Sequence, residues 1–407
     1  GLFDGMTKAL ADEAVKAVVI TGLNRAFIAG ADISEFGAAA SEGVGLGEAL
    51  EIMENSTKPV IAAINGTAFG GGLETALCCD YRIAAPTAPV GLPEVKLGLL
   101  PGAGGTQRLP RLIGAQAALK AIVSGDPIMA PQAQKLGIVD RIAEGDIVEE
   151  GIKYAEEIVA AGSATRKIRD LTDKIAGDKG NTAVFEEAAA QLNKTNRGQF
   201  APAQILKCVE AAVNADSFDA GMAVERTCFA ACMQDPQREA LIHIFFAERA
   251  ANKIPGLSKE DPLIDINKGS VIGSGTMGGG IAMCFANAGI PVRLHDNNAE
   301  NLAKGLKVIE GNYARTVSKG RLTQEAMDKR MSLIIPTENF DDLGDADVVI
   351  EAVYENLDLK KEIFAKLDKV MKPGALLATN TSGLDVDAIA NMTSRPEFVC
   401  GMHFFSP

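Results

Sequence analysis

Two glutamates in the stretch NGTAFGGGLETALCCDYRIAAPTAPVGLPEVKLGLLPGAGG, Asn65 to Gly105, are the side chains best placed for proton chemistry. Glu74 follows Gly70, Gly71 and Gly72 and opens an apolar helical run, Leu73 to Cys79. Three glycines before such a run suit a tight turn that ends in a helix N-terminus. Free backbone N–H groups and the positive end of the helix dipole then face a site, where they can hold a developing oxyanion. Glu94 follows Pro93, a residue that suits an ordered loop. A carboxylate on a helix and another on a loop can hold a water between them as general acid and base. The alternative stays open from spacing alone, since glycine triplets often serve packing or turns and most glutamates are solvated.

A second constellation lies further on. Val271-Ile272 ends a strand, Gly273-Ser274-Gly275-Thr276-Met277-Gly278 follows, and Ile281 to Ala288 is helical. Pro291 to His295 reads as the next strand, and Asp296 closes it. This is G-x-G-x-x-G in the strand-turn-helix context it requires, with the acid at the expected distance. Gly273, Gly275, Thr276, Met277 and Gly278 are expected to cradle a dinucleotide pyrophosphate, and Asp296 to accept from the adenosine ribose. Asn297 and Asn298 follow Asp296, with no Arg for a 2′-phosphate, so NAD is expected rather than NADP. His295 reads as a strand-end side chain rather than a catalyst.

These groups need elements to carry them. The chain has 407 residues, enough for two or three domains, with 47% hydrophobic residues and no Trp. A net charge of −13 disfavours nucleic acid, whose binding rests on Lys and Arg contacts to phosphate. Seven cysteines without framework spacing indicate a reducing compartment. Cys228 and Cys232, with His243 nearby, read as helical thiols, and no metal is expected. No apolar run approaches membrane-spanning length.

Helical spacing covers Leu2–Val15. Strands are expected at Lys16–Gly22, Lys58–Ile64, Tyr81–Ala85 and Gly137–Ile142. Helices are expected after Ile33, from Ser41 to Met53, from Ala115 to Val123 and from Pro131 to Leu136. Asp146 to Ala250 reads as continuously helical, broken near Gly162, Gly177–Gly180, Gly198 and Pro236, without a chemical motif. Ile254 to Pro262 reads as a linker. Ala346–Val353 and Ala375–Ser382 read as further strands, and Val399–Phe405 closes the chain.

FIAGADISEF (Phe27–Phe36), the GGGLE segment, Pro93-Glu94 and PGAGGTQRLPRLIG (Pro101–Gly114) together resemble the crotonase, or enoyl-CoA hydratase, family. That resemblance makes Glu74 and Glu94 the catalytic pair and the N–H groups of Ala31 and Gly71 the oxyanion donors. From Ser270 onward, Asn380-Thr381-Ser382 and His403-Phe404-Phe405-Ser406-Pro407 resemble the L-3-hydroxyacyl-CoA dehydrogenase family. Its implications are Ser382 as a contact to the substrate hydroxyl and His403 as the base that takes the hydroxyl proton. Ala352, Glu355 and Lys360 are then cofactor contacts near the nicotinamide. Gly383 stands where that family often has a second Ser. For His403, the alternative without the resemblance is a core histidine.

The expectation is an α/β protein. Residues 1–160 form a crotonase-like ββα spiral lacking its first strands, 161–265 a helical connector packed on it, and 266–407 a Rossmann-type NAD-binding domain lacking its C-terminal part. Together the resemblances imply the multifunctional enzymes of fatty-acid β-oxidation. The implied chemistry is hydration of 2-trans-enoyl-CoA, NAD-dependent oxidation of the 3-hydroxyacyl-CoA, and 3-to-2 enoyl-CoA isomerisation. A non-enzymatic acyl-CoA-binding relative is the competing reading. Acyl-CoA thioesters are the expected ligands, and a thiolase subunit or self-association is the protein partner left open. The expected home is the bacterial cytoplasm, with the peroxisome as the alternative. The resemblance places a glutamate that orients His403 beyond Pro407, so the sequence reads as an internal piece of a longer protein that oxidises poorly by itself.

Overall fold

A computed structural model describes residues 1–33, 45–162, 165–251, 253–258 and 260–406. The chain folds into two compact units, Gly1–Gly256 and Leu257–Pro407. The helix expected after Ile33, and the start of that expected from Ser41, lie outside the described residues.

The first unit holds β1 (Val18–Thr21), β2 (Ala26–Ile28), β3 (Val60–Ile64), β4 (Thr67–Phe69), β5 (Tyr81–Ala84), β6 (Pro89–Gly91), β7 (Ile128–Met129) and β8 (Arg141–Ile142). They form two four-stranded sheets, ordered β1-β3-β5-β8 and β2-β4-β6-β7. All neighbours are parallel except β6 and β7. From β1 to β6 successive strands alternate between the sheets, which is the expected ββα spiral. Asn65 latches two turns of it: its Oδ1 accepts from the Gly22 N–H at 3.1 Å and its Nδ2 donates to the Asn24 carbonyl at 3.0 Å. Every residue of β3 is buried, so it reads as an unbroken apolar run. The pleat sends Val60, Ala62 and Ile64 into the main core, and Ile61 and Ala63 toward Ile83, Ala155 and Ile158.

The second sheet of the spiral was not expected strand by strand. β2, β4 and β6 have three residues each, too few to show alternation. Two helical expectations also change. The first helix is Leu2–Ala11, because Asp12 turns extended, its side chain accepts from the Ala14 N–H, and Lys58 Nζ caps the Ala9, Leu10 and Asp12 carbonyls. Between the helices Ile147–Ala160 and Thr182–Thr195 the described residues are not helical apart from two 3₁₀ turns. There Arg166 N–H and Lys167 Nζ are tied to Asp80. The helices Ala201–Asn214 and Phe218–Gln234 pack against each other and on Gly105–Ile113. Ile205, Cys208, Val209 and Ala212 give Ala201–Asn214 its buried face.

The second unit is one parallel sheet of β9 (Gly269–Ile272), β10 (Val292–His295), β11 (Ile334–Thr337), β12 (Val348–Glu351), β13 (Leu376–Thr379) and β14 (Val399–Gly401). The order is β11-β10-β9-β12-β13-β14, the doubly wound arrangement of a dinucleotide-binding fold. The strand order reverses between β9 and β12, and the glycine-rich turn leaves β9 at that point. β11 was not among the expected strands.

Candidate active site

In the first unit a cavity of about 760 Å³ is lined by Ala31, Gly71, Glu74 and Glu94, with apolar walls that include Leu100 and Phe229. Four sequence-predicted residues therefore meet. Gly70 caps the helix Gly71–Cys78 at φ +55°, a conformation side chains disfavour, and no side chain caps that helix. The leading N–H groups of the helix have no intrahelical partner, and of the residues that carry them Gly71 lines the cavity. A Cβ on Gly70 would lie 3.0 Å from Glu94 Oε1, so the missing side chain makes room for the acid. Glu94 lies on a 3₁₀ turn, Pro93–Leu97, more ordered than the expected loop.

Glu74 is 3% exposed. Its Oε1 accepts from the Ala103 and Gly105 N–H groups, both at 2.8 Å. Burial raises its pKa, while those two N–H groups and the Arg108 guanidinium work against the rise. Glu94 has the opposite surroundings. Its Oε2 is buried without a hydrogen-bond partner. Burial raises it well above the ordinary carboxylate range, and the nearby Glu74 charge adds to this. Both carboxyls are thus raised by burial, Glu74 against two backbone donors and the Arg108 guanidinium, Glu94 with the Glu74 charge adding to the rise.

Sequence reading missed the groups that hold this pair. Arg108, within PGAGGTQRLPRLIG, forms a buried two-point pair with Glu54 at 3.0 and 2.8 Å and donates to the Ala103 carbonyl at 2.9 Å. Gly104 admits it, since a Cβ there would collide with the guanidinium. Glu225, in the helical stretch that showed no motif, is fully buried and bonds the same loop. An acid among apolar positions of a helix was the only signal for it. Cys228 and Cys232 are both buried on that helix.

In the second unit the glycines divide the expected tasks. Gly273 has φ +98°, and a Cβ would meet the Ala352 carbonyl oxygen at 2.6 Å. A Cβ on Gly278 would collide with the Gly273 carbonyl, so this glycine permits close helix–strand packing. Gly275 faces open space, which leaves its backbone free for a pyrophosphate. Thr276 and Met277 begin the helix Thr276–Asn287, whose N-terminus points to that space.

Asp296 follows β10. Its Oδ2 accepts from Ser274 N–H at 3.0 Å and Ser274 Oγ at 2.6 Å, and its Oδ1 from Asn298 N–H at 3.1 Å. Burial alone would raise it, but the Ser274 and Asn298 bonds outweigh that and hold it below the usual range. The residues fit NAD: an open glycine, a helix start and an ionised acid at the end of the second strand. His295 is buried, donates from Nδ1 to the Thr337 carbonyl at 3.1 Å and packs edge-on to Phe340.

Ser382 and His403 stand just past the C-terminal ends of neighbouring strands, with Thr379 in register with Gly401. Met402 N–H donates to the Thr379 carbonyl, and Phe404 N–H to Asn380 Oδ1 at 2.7 Å. His403 is exposed, not a core histidine, with its ring beside Phe405. Glu355 accepts from Thr381 Oγ1 and from Ser382 N–H at 3.1 Å. Lys360 is 1% exposed, bonded to Glu351 at 2.7 Å and 3.5 Å from Glu355. Its ammonium braces these two acids, while Glu355 is the exposed one.

Comparison with known proteins adds to this geometry. The enoyl-CoA hydratase/isomerase model matches residues 1–201, and the model for the NAD binding domain of 3-hydroxyacyl-CoA dehydrogenase matches residues 268–407. The peroxisomal bifunctional enzyme of Cavia porcellus is 43% identical, over 100% of this chain and 56% of its own length. That of Homo sapiens is 42% identical, over 99% and 56%. A peroxisomal fatty acid beta-oxidation multifunctional protein of Arabidopsis thaliana is 36% identical, over 97% and 56%. The chain thus spans about half the length of the curated relatives it matches, 56% in each case.

Proposed function

Because the chain belongs to the family of fused enoyl-CoA hydratases and 3-hydroxyacyl-CoA dehydrogenases, through residues 1–201 and 268–407, we propose that it adds water to 2-trans-enoyl-CoA thioesters in fatty-acid β-oxidation. The same proposal has it bind NAD for oxidation of the resulting 3-hydroxyacyl-CoA. The observation that carries it is the convergence of Glu74, Glu94, Gly71 and Ala31 on one cavity.

The thioester oxygen accepts from the N–H groups of Gly71 and Ala31 as it gains enolate character. Glu74, fixed by two backbone donors, orients the water and takes its proton while the hydroxyl bonds to the β-carbon. Glu94, protonated by its surroundings, delivers a proton to the α-carbon. Moving a double bond from position 3 to 2 needs the same base and oxyanion donors without water, so isomerisation belongs to the same site.

In the second unit, Gly275 and the helix start at Thr276 and Met277 would hold the pyrophosphate, with Gly273 and Gly278 shaping the turn. Asp296 would hold the ribose, and Ala352 and Glu355, the latter braced by Lys360, would face the nicotinamide side. NAD, when bound, supplies the hydride acceptor. Ser382 holds the substrate oxygen and His403 accepts its proton. In functional terms the proposal assigns 1–160 to hydration, 161–265 to a connector of which the part up to Gly256 braces the first unit, and 266–407 to oxidation. The relatives named above are peroxisomal; they favour that compartment, and a bacterial cytoplasm finds no support among them. Association with a thiolase subunit or a second copy is part of the proposal and is read out by light scattering.

The test uses the chain with crotonyl-CoA and NAD. The enoyl-thioester absorbance should fall, with NAD binding followed in parallel by calorimetry. A folded chain that leaves the absorbance unchanged would refute the hydratase reading.

A further inference from the structure

Glu225 sits on the helix Phe218–Gln234 and is 0% exposed. A carboxylate buried this deeply needs hydrogen-bond partners or costs stability. Its partners all belong to the entry of the helix Gly105–Ile113. Oε1 accepts from the Gly104 N–H at 2.7 Å. Oε2 accepts from the Thr106 N–H at 3.2 Å and from Thr106 Oγ1. Glu74 takes the alternate members of the same run, the N–H groups of Ala103 and Gly105. Four consecutive N–H groups are therefore shared, in alternation, between two carboxylates from two different helices. Neither acid can move without disturbing the peptide planes that hold the other.

We propose that Glu225 is the positioning residue of the hydration site: by fixing Gly104 and Thr106 it aims the Ala103 and Gly105 N–H groups that hold Glu74 in place. This rests on the hydratase reading above. It also gives the helical stretch a part in the chemistry of the spiral.

The electrostatics add a signature. Burial, then the Glu74 charge, push Glu225 up to about 8. The groups facing it are Glu74 from the Gly71–Cys78 helix, Thr106 and Arg108 from Gly105–Ile113, and Cys208 from Ala201–Asn214. Glu94, on the Pro93–Leu97 turn, feels its charge as well. Ionisation of Glu225 thus changes the proton affinity of both catalytic acids, which a purely structural side chain would not do.

The experiment is Glu225→Gln, with Thr106→Val as a second variant, in crotonyl-CoA hydration from pH 6 to 9. The amide puts a donor against the N–H of either Gly104 or Thr106, so one bond is lost and the loop shifts. A misplacement of about 1 Å can cost about 10²-fold. The expected result for Glu225→Gln is a kcat lower by about 10–100-fold, a KM that stays within experimental reach of wild type, and loss of the break in the pH profile at the alkaline end. Thr106→Val keeps the N–H contacts and should show a smaller loss in the same direction. NAD affinity, which belongs to the other unit, should be unchanged, and far-ultraviolet circular dichroism with a thermal melt reports whether the first unit is folded. A wild-type kcat and pH profile in Glu225→Gln would overturn the assignment; if that variant does not fold, the same result in Thr106→Val does so. A loss confined to KM would also overturn it. A wild-type chain that does not hydrate at all would instead sink the hydratase reading itself.

Discussion

Each unit places a glycine-rich turn before a helix N-terminus, and the two turns use their missing side chains differently. Around Glu74 and Glu94 the vacated space is filled by the protein's own acids. A Cβ on Gly70 would lie 3.0 Å from Glu94 Oε1, and one on Gly105 would lie 2.9 Å from Glu74 Oε1. At Gly275 a Cβ would meet nothing within 4 Å. In the first unit the glycine turns before Gly71–Cys78 and Gly105–Ile113 are closed around two buried acids; in the second the turn is open at Gly275. The same motif class, glycine before helix, therefore predicts opposite consequences for the same substitution.

The largest effect should come from the acids themselves. Glu94→Gln and Glu74→Gln keep the shape but cannot move the proton, so hydration of crotonyl-CoA should fall about 10²–10⁴-fold. NAD affinity, measured by calorimetry, should not change. Hydration near the wild-type rate in either variant would remove that residue from the pair.

Next is the paired test of the turns. Gly105→Ala should lower hydration by about 10²-fold, because the new methyl group presses on Glu74 Oε1 and on Pro101 Cβ, 2.7 Å away. Gly275→Ala should leave thermal stability within about 0.5 kcal/mol, since its φ of −69° suits any residue. Its NAD affinity should nevertheless fall. Equal losses of stability in the two variants would erase the distinction.

Asp296→Ala should weaken NAD binding by about tenfold or more, the scale of a lost bond to a charged group. It should also narrow the preference over NADP, because the acid repels a 2′-phosphate. An unchanged ratio of the two affinities would contradict this assignment.

The smallest effect is on stability. The proton on Glu94 is held more tightly in the folded unit than in the unfolded chain, where the ordinary value is 4.5. The stability linked to that proton is fully present below 4.5 and is lost as pH rises through the raised folded value. Glu94→Gln escapes the loss. Its melting temperature relative to wild type should rise with pH above 4.5, by about 2–4 °C per kcal/mol. A difference that does not vary with pH would count against a raised Glu94.

Much of this was legible in the sequence, for identifiable reasons. The parallel β3, β9 and β12 strands are buried on both faces, so their apolar runs stand out. The Gly273–Gly278 turn has each glycine for a separate steric purpose, and that spacing survives in the letters. Glycine and proline mark the neighbours of Glu74 and Glu94, but spacing alone left solvated glutamates as an alternative, and only the family resemblance singled the pair out. The three-residue strands β2, β4 and β6 were not legible, because they carry too few side chains for a period. Glu225 and the Glu54–Arg108 pair were invisible for another reason. Their partners are far along the chain, and an acid in a helix looks solvated until tertiary packing buries it. Ser274 as the partner of Asp296 was likewise hidden by its distance in sequence.

The central claim is that Glu94 gives a proton to the α-carbon while water adds at the β-carbon. The most direct measurement is crotonyl-CoA incubated with the chain in D₂O and followed by NMR. The account predicts 3-hydroxybutyryl-CoA with a single deuterium at the α-carbon from the wild-type chain, and the same labelled product formed about 10²–10⁴-fold more slowly by Glu94→Gln. Labelled product formed equally fast by Glu94→Gln would contradict it.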